Sequence, residues 1–190
     1  MTCLSSAEML SCTQCSLYRW RTQVVPGHGS KEATIAFVAE APGFEEDKSG
    51  VPLVGPAGKR FDLQLEAVGL AREDVWLDNA IKCRPPNNAI HDYPDALARC
   101  PNLWLFPTLA ALPSLRVIVA MGATAGGLWF SGMKATEIAE MSRAIMKVIV
   151  VGSFHSSYAL RKGGWMNDID ESIVRSMRRA VSYSSGKVVA

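Results

Sequence analysis

Four cysteines are the side chains of this sequence best suited to binding a metal. Cys12 and Cys15 form a C-x2-C pair, Cys83 follows a predicted strand, and Cys100 lies on the next predicted helix. Four thiolates bind either a zinc ion or an iron–sulfur cluster, and residue types alone do not decide between them. The alternative is that Cys83 and Cys100 are buried thiols that act as small apolar side chains. We expect Cys3, close to the first residue, to take no part.

Three polar side chains lie at the ends of predicted strands, where an open α/β sheet forms its ligand crevice. Glu40 opens the loop after the first strand, Asn79 closes the second, and His155 follows the fourth. A carboxylate can orient water, an amide can both donate and accept hydrogen bonds, and an imidazole can donate to developing charge. We predict that the three share one site, although each residue type also occurs as an ordinary structural residue. The acidic run at 45–47 is expected to be a solvated loop.

Strands and helices alternate along the chain, and this alternation must position the polar residues. Strands are predicted over residues 34–39, 74–82, 116–121 and 145–151, where apolar residues predominate. Helices are predicted over residues 5–11, 60–70, 93–112, 122–130 and 167–182. Strands that are apolar on both faces are typical of a parallel sheet covered by helices. The predicted fold is α/β: a three-layer α/β/α sandwich with a central, mainly parallel four-stranded sheet, in a single domain over residues 1–190.

Composition excludes several classes of protein. The chain has 190 residues, 48% of them hydrophobic, with 20 Lys and Arg against 18 Asp and Glu. That content supports one buried core and excludes collagen-like and low-complexity disordered chains. A net charge of +2 neither indicates nor excludes a nucleic-acid partner, since a local basic face is enough to bind one. No G-x-G-x-x-G or Walker run follows the first predicted strand, which argues against a metabolic nucleotide-binding protein.

The sequence carries no sign of export or membrane insertion. The longest apolar run, residues 115–121, contains Arg116 and is too short to span a membrane. The first residues lack the basic and apolar regions of a signal peptide. We therefore expect a cytoplasmic protein of a bacterial or phage-infected cell, with no membrane partner. In that reducing compartment the five cysteines are expected to be free thiols or metal ligands.

Several runs of the sequence match one known family in order along the chain. They are VVPGHG at 24–29, AEAPGFEEDKSG at 39–50, PLVGPAG at 52–58, NAIKCRPP at 79–86, VIVAMG at 117–122 and FH at 154–155. On these runs the chain resembles the iron–sulfur, or family 4, uracil-DNA glycosylases of the uracil-DNA glycosylase superfamily. The resemblance covers most of the chain, and its runs at 39–58 and 79–86 are specific.

The resemblance implies a monofunctional DNA glycosylase, a hydrolase that acts on N-glycosyl bonds. Such an enzyme flips a pyrimidine nucleotide out of single- or double-stranded DNA and hydrolyses its N-glycosidic bond, leaving an abasic site. It also implies a 4Fe–4S cluster that ties residues 1–30 to residues 83–100. The implied ligands are Cys12, Cys15, Cys83 and Cys100. We expect uracil to be the base and the enzyme to act as a monomer.

The resemblance also implies roles for the residues at the strand ends. Glu40, Asn79 and His155 would be catalytic, with Asn79 also reading the edge of the base. The other substrate-binding residues would be Ala41 and Gly43, through their backbone amides, with Leu53, Ser156 and Ser157. Leu53 stands where the family commonly has a phenylalanine that stacks on the base, and Ser156 stands where it usually has proline.

Basic residues near the predicted site are candidates for binding DNA phosphates. Arg161 and Lys162 come shortly after His155 and adjoin Gly163 and Gly164, where the backbone can approach a phosphate. Further candidates are Arg19, Arg21, Lys31, Lys59 and Arg60, together with Arg175, Arg178 and Arg179 on the last predicted helix.

Two other functions stay open from the sequence. One is a glycosylase for a bulky modified cytosine, for example in phage DNA with an antiviral role, because Leu53 leaves more room than phenylalanine. The other is a DNA-binding member of the superfamily without catalytic activity. The joint presence of Glu40, Asn79 and His155 argues against the second.

Overall fold

A six-stranded sheet forms the centre of the computed structural model, which describes residues 6–186. In chain order the strands are β1 (His28–Gly29), β2 (Ile35–Ala39), β3 (Trp76–Asn79), β4 (Val117–Met121), β5 (Ser142–Ile145) and β6 (Val148–Ser153). Their order in the sheet is β1-β3-β2-β4-β6-β5. The inner four run parallel to one another, whereas β1 and β5 pair antiparallel at the two edges.

The α/β class and the mainly parallel sheet are confirmed, but the predicted count of four strands is wrong. The four predicted strands are the inner strands, and two edge strands were not predicted. The predicted strand at 145–151 is divided by a turn, at which Met146 has a φ of +53°. The chain reverses there, so that Ile145 of β5 faces Val148 of β6. Strand β1 has only two residues, too few for a periodic pattern to mark it.

The strand register brings the carboxyl ends of the inner strands to one edge of the sheet. Every residue of β2, β3 and β4 is buried, because helices cover both faces. Ala39 at the end of β2 faces Asn79 at the end of β3, and Met121 of β4 faces Ser153 of β6. The loops that leave these strands therefore start side by side.

Helices form the two outer layers of the sandwich. They are α1 (Ser6–Leu10), α2 (Phe44–Ser49), α3 (Pro56–Glu66), α4 (Pro94–Cys100), α5 (Phe106–Ala110), α6 (Gly122–Gly127), α7 (Ala135–Ile138), α8 (Ser156–Lys162) and α9 (Asp168–Ser184). One core cluster joins the sheet to α3, α8 and α9, and contains Phe61 and Ile173. The other joins it to α4, α5, α6 and α7, and contains Trp104 and Phe130.

Several helices differ from their predicted bounds. The predicted helix at 93–112 consists of α4, a π-helical turn at Pro101–Leu105 and α5. Pro101 and Pro107 each remove a backbone donor, so a regular α-helix does not run through. Helix α3 begins earlier than predicted, with Pro56 at its first position. Helices α2, α7 and α8 were not predicted. Residue 5, where the first helix was expected to start, lies outside the described residues, as does Cys3.

In the described part of the chain, residues 6–186, no helix has the length and apolar character needed to cross a membrane.

Candidate functional site

A cleft of about 910 Å³ opens at the carboxyl ends of the parallel strands. The predicted site residues that line it are Glu40, Ala41, Gly43, Leu53, Asn79, His155, Ser157 and Arg161. They come from the end of β3, the segment after β2, and the loop and helix α8 that follow β6. The cleft thus brings together all three residues predicted to be catalytic, although they are far apart in the sequence.

Glu40 is held at the cleft wall by a residue of the helix that follows the neighbouring strand. Its carboxylate accepts a hydrogen bond from Oγ1 of Thr124, which lies on α6 after β4. The backbone carbonyl of Glu40 accepts from the amide of Ile81 at 3.0 Å, which joins the loops after β2 and β3. Sequence analysis missed Thr124, because the run Gly122-Ala123-Thr124 shows no pattern that points to a carboxylate partner.

Asn79 presents a buried amide to the cleft. The residue is only 2% exposed, and its Nδ2 has no hydrogen-bond partner among the described residues. Its backbone is fixed, because its N–H donates to Oδ1 of Asp78 at 2.7 Å and its carbonyl accepts from Nζ of Lys82 at 2.8 Å. Asp78 and Lys82 themselves form a fully buried ion pair. A buried donor without a partner is unfavourable, so this amide suits a ligand that offers an acceptor.

His155 lies in the cleft as a neutral hydrogen-bond donor. Its Nδ1 accepts a hydrogen bond from the backbone N–H of Ser157 at 3.1 Å. Because a backbone amide only donates, Nδ1 carries no proton and Nε2 carries the hydrogen. Burial lowers the pKa of His155 to about 4, helped by the positive charge of Arg161 and opposed by the negative charge of Glu46. At neutral pH the ring is therefore uncharged.

Ser156 lies outside the cleft. Its hydroxyl is fully buried and donates to Oε1 of Gln64 on α3 at 2.6 Å. Nε2 of Gln64 in turn donates to Oδ1 of the buried Asp170 at 2.8 Å. The first residue of α8 thus turns its side chain towards α3, so this geometry does not support a contact between the Ser156 hydroxyl and substrate. Lys162 does not line the cleft either; its Nζ lies 5.8 Å from the centre of the Tyr158 ring.

The acidic run at 45–47 was predicted to be a solvated loop, and this prediction is wrong. The three residues belong to helix α2. Glu46 is buried and accepts hydrogen bonds from the backbone amides of Gly43 at 3.0 Å, Val54 at 2.9 Å and Gly55 at 2.8 Å. Asp47 is buried too, and its carboxylate accepts a hydrogen bond from a backbone amide of the N-terminal segment. Glu46 comes three residues after Gly43, the residue that caps helix α2, and this spacing was the signal that could have revealed its capping role. The amide of Gly43 is thereby engaged, so the prediction that it binds the base or water is not supported.

Leu53 stands at the cleft wall in an unusual backbone conformation. Its φ is +54°, and its carbonyl accepts a hydrogen bond from Nη2 of Arg72. Its side chain packs in the core cluster with Phe61. Position 58 must be glycine, because a Cβ there would lie 1.8 Å from the Leu53 carbonyl oxygen. Helix α3 can therefore approach this wall closely.

Three aromatic side chains line the same cleft as Leu53. Phe44 is 59% exposed at the mouth. Phe154 and Tyr158 line it as well and contact each other edge to face, with ring centres 5.5 Å apart. The cleft therefore offers aromatic faces without a phenylalanine at position 53.

The four predicted metal-binding cysteines line a second, smaller cavity. Cys12, Cys15, Cys83 and Cys100 surround it together with Trp104 and Lys82, among others. Their sulfur atoms accept hydrogen bonds: Cys12 from Nε1 of Trp104 at 3.3 Å, Cys83 from Nη1 of Arg21 at 3.2 Å, and Cys100 from the amide of Lys82 at 3.4 Å. Four thiols around one cavity, three of them with an N–H donor aimed at the sulfur, are a suitable donor set for an iron–sulfur cluster. Within residues 6–186, no three Cys, His, Asp or Glu side chains are grouped to hold a single metal ion.

Burial opposes ionisation of three of these thiols. It raises the pKa of Cys83 to about 11 and the pKa of Cys100 to about 12, and it also raises the pKa of Cys15. The thiolate is the form that binds metal, so metal binding here must release protons.

Comparison with known proteins gives a consistent result. A profile of the Uracil DNA glycosylase superfamily matches residues 26–173. The Type-4 uracil-DNA glycosylase of Thermotoga maritima is 37% identical over 181 residues, which cover 94% of this chain and 92% of that protein. The enzyme of the same name from Archaeoglobus fulgidus is 38% identical over 162 residues, covering 80% of each. That of Saccharolobus solfataricus is 32% identical over 191 residues, covering 94% of this chain and 86% of that protein.

Proposed function

Because the chain belongs to the uracil DNA glycosylase superfamily, and within it to the type-4 enzymes, we propose that it removes uracil from DNA. It is a DNA glycosylase that hydrolyses the bond between base and sugar and leaves an abasic site. The observation that carries this proposal is the cleft in which Glu40, Asn79 and His155 meet. Each of the three offers a group that base removal requires.

Asn79 reads the base. A duplex hides the edge of its bases, so the target nucleotide must leave the stack and enter the cleft. Uracil presents O4 as an acceptor and N3–H as a donor. Nδ2 of Asn79, which is buried without a partner, would donate to O4, while Oδ1 would accept from N3–H. The fixed backbone of Asn79 holds the amide in place for this contact.

His155 and Glu40 act on the bond that breaks. As the bond between C1′ and N1 lengthens, its electron pair passes to the base, and negative charge develops on O2. The neutral imidazole would donate from Nε2 to that oxygen, a donor that is in place before the charge appears. Glu40 would orient a water molecule towards C1′ and accept its proton as the sugar takes the hydroxyl group. The products are the abasic sugar and the uracil anion, which becomes free uracil when it takes up a proton from Glu40 or solvent.

The four cysteines around the second cavity, Cys12, Cys15, Cys83 and Cys100, would hold a 4Fe–4S cluster. When bound, the cluster supplies iron–thiolate bonds that join the N-terminal segment to the loop after β3 and to α4. Lys82 lies between this cavity and the cleft, since its amide contacts Cys100 and its side chain contacts Asn79. The cluster would thereby stabilise the loop on which the base-reading amide depends.

That the protein acts in the cytoplasm, as a monomer with a single domain, stays a prediction.

One observation favours a second candidate base. Leu53, where the resemblance predicts phenylalanine, lines a cleft of about 910 Å³, and its smaller side chain would leave more room for a cytosine with a bulky 5-substituent. The test is single-turnover release of base from matched oligonucleotides, single- and double-stranded, that contain uracil or 5-modified cytosines. We expect release of uracil. Release of only the modified base, by protein that contains its iron, would favour the second candidate, and release of neither would contradict both.

A further inference from the structure

We propose that Trp165 and the side chains beside it form a binding surface for the DNA strand next to the extruded nucleotide. We call this surface the rim ledge, and define it as Tyr158, Arg161, Lys162, Trp165 and Met166. The proposal rests on the proposed function, since it describes how the same substrate is held outside the cleft.

The rim ledge is exposed and adjoins the cleft. Residues 160–166 are all exposed, and the large apolar side chain of Trp165 is 46% exposed. Tyr158 and Arg161 also line the cleft. A strand whose nucleotide enters the cleft must therefore pass close to the ledge.

The loop that carries Trp165 is held in position by hydrogen bonds. Nη2 of Arg60 donates to the carbonyl of Gly164, and Nδ2 of Asn167 donates to the carbonyl of Gly163 at 2.9 Å. The guanidinium of Arg60 also lies over the Trp165 ring, 4.7 Å from its centre. The indole is therefore oriented before DNA arrives, which reduces the entropy lost on binding.

The charge of Arg60 is already balanced. Its Nε donates to Oδ1 of Asp170 at 2.9 Å, and the two residues form an ion pair that is largely buried. Arg60 thus supports the ring of Trp165 and is not expected to bind a phosphate. Neither Arg161 nor Lys162 forms an ion pair within the described part of the chain, so their charges face solvent.

Cations that alternate with aromatic rings are the chemistry that binds a nucleic-acid strand. Aromatic faces stack on bases whatever the sequence, and cations neutralise phosphates. On the ledge, the Arg161 guanidinium and the Lys162 ammonium each lie 5.8 Å from the centre of the Tyr158 ring. We infer that Trp165 stacks on a base adjacent to the extruded nucleotide, while Arg161 and Lys162 contact its phosphates.

The test uses an oligonucleotide with a tetrahydrofuran abasic analogue, whose binding needs no base removal. We expect Trp165→Ala to weaken binding by about tenfold or more, without changing the salt dependence, and Trp165→Phe to keep most of the affinity. Lys162→Gln should lower the slope of log affinity against log salt by about one. Trp20, 62% exposed in the N-terminal segment, provides the matched control, and Trp20→Ala should bind like the wild type.

The outcomes separate this proposal from the proposed function. Wild-type affinity in Trp165→Ala would overturn the rim ledge, and so would an equal loss in Trp165→Phe, because phenylalanine still stacks. An unchanged salt slope in Lys162→Gln would remove the phosphate contact. If Trp165→Ala weakens binding while no oligonucleotide releases uracil, the ledge stands and the proposed function fails. An unchanged melting temperature in Trp165→Ala would confirm that the loss of binding is not a loss of folding.

Discussion

The hydroxyl of Ser156 donates a 2.6 Å hydrogen bond to Oε1 of Gln64, and both side chains are fully buried. Ser156 directly follows His155 and is the first residue of α8. Gln64 continues the contact to Asp170 on α9. Where the resemblance leads us to expect a proline, this chain thus uses a buried polar network to attach the histidine loop to two helices.

This network predicts a coupled effect on stability. Proline is well suited to the first position of a helix, but Ser156→Pro would leave Oε1 of Gln64 buried without a donor, at a cost of about 1–3 kcal/mol. Gln64→Leu alone should destabilise as well, because Ser156 and Asp170 lose a partner. The double variant should lose less free energy of unfolding than the sum of the two. Urea unfolding of the four proteins measures this, and additive losses would contradict the network.

The low pKa of His155 predicts a pH dependence of stability. Burial holds the ring neutral in the folded protein down to about pH 4, whereas an unfolded histidine takes up a proton near its ordinary value of about 6.5. The contribution of His155 to stability is therefore fully present above about pH 6.5 and is lost as the pH falls towards about 4. We expect His155→Gln to show a smaller decline of unfolding free energy over this window than the wild type. Equal declines would argue against the lowered pKa.

Thr124 is predicted to act through Glu40. Thr124→Val removes the hydroxyl that holds the carboxylate, and should reduce single-turnover release of uracil about tenfold while DNA binding is kept. Thr124→Ser keeps a hydroxyl and should stay close to the wild-type rate. Glu40→Ala should lose more, and adding Thr124→Val to it should change nothing further. A further loss in that double variant would show that Thr124 acts independently of Glu40.

The cysteine cavity predicts which thiol is needed for iron. The purified protein should be brown and absorb at about 400 nm, as iron–thiolate centres do. Cys100→Ala should lose iron and most of the soluble protein, because a buried ligand at the cavity is removed. Cys3→Ala serves as the control and should retain its iron. Wild-type protein that contains only zinc, or no metal, would contradict the cluster.

Leu53 offers a test of which base the cleft fits. Leu53 lines the cleft, although its side chain is mostly buried against the core cluster that contains Phe61. If the ring in Leu53→Phe reaches the cleft, it offers an aromatic face to the base, and release of uracil should be unchanged or raised. If a cytosine with a bulky 5-substituent is also released, the same change should reduce that activity, since added bulk in a fitted site costs about 1–3 kcal/mol. Parallel single-turnover rates on the two substrates decide the matter. A fall in uracil release, in a variant that still melts like the wild type, would contradict this reading of Leu53.

The positions of Glu40, Asn79 and His155 could be predicted because local pattern contains the necessary information. Runs of buried apolar residues mark parallel strands, and residues that follow such strands meet at one edge of the sheet. The same reasoning could not place Glu46, whose burial depends on amides at Val54 and Gly55 beyond its own helix. Nor could it show β5, since a turn at Met146 interrupts what appears in the sequence as one apolar run.

The sequence by itself determined the α/β class, the edge of the sheet that holds the site, and the thiols available for a metal. Only the tertiary structure decided that Ser156 faces Gln64 rather than the cleft, that Thr124 holds Glu40, and that Trp165 lies under Arg60. The physical reason is the range of the interactions. Strand and helix periodicity is set by neighbouring residues, whereas a hydrogen bond between positions 64 and 156 exists only once α3 and α8 have packed together.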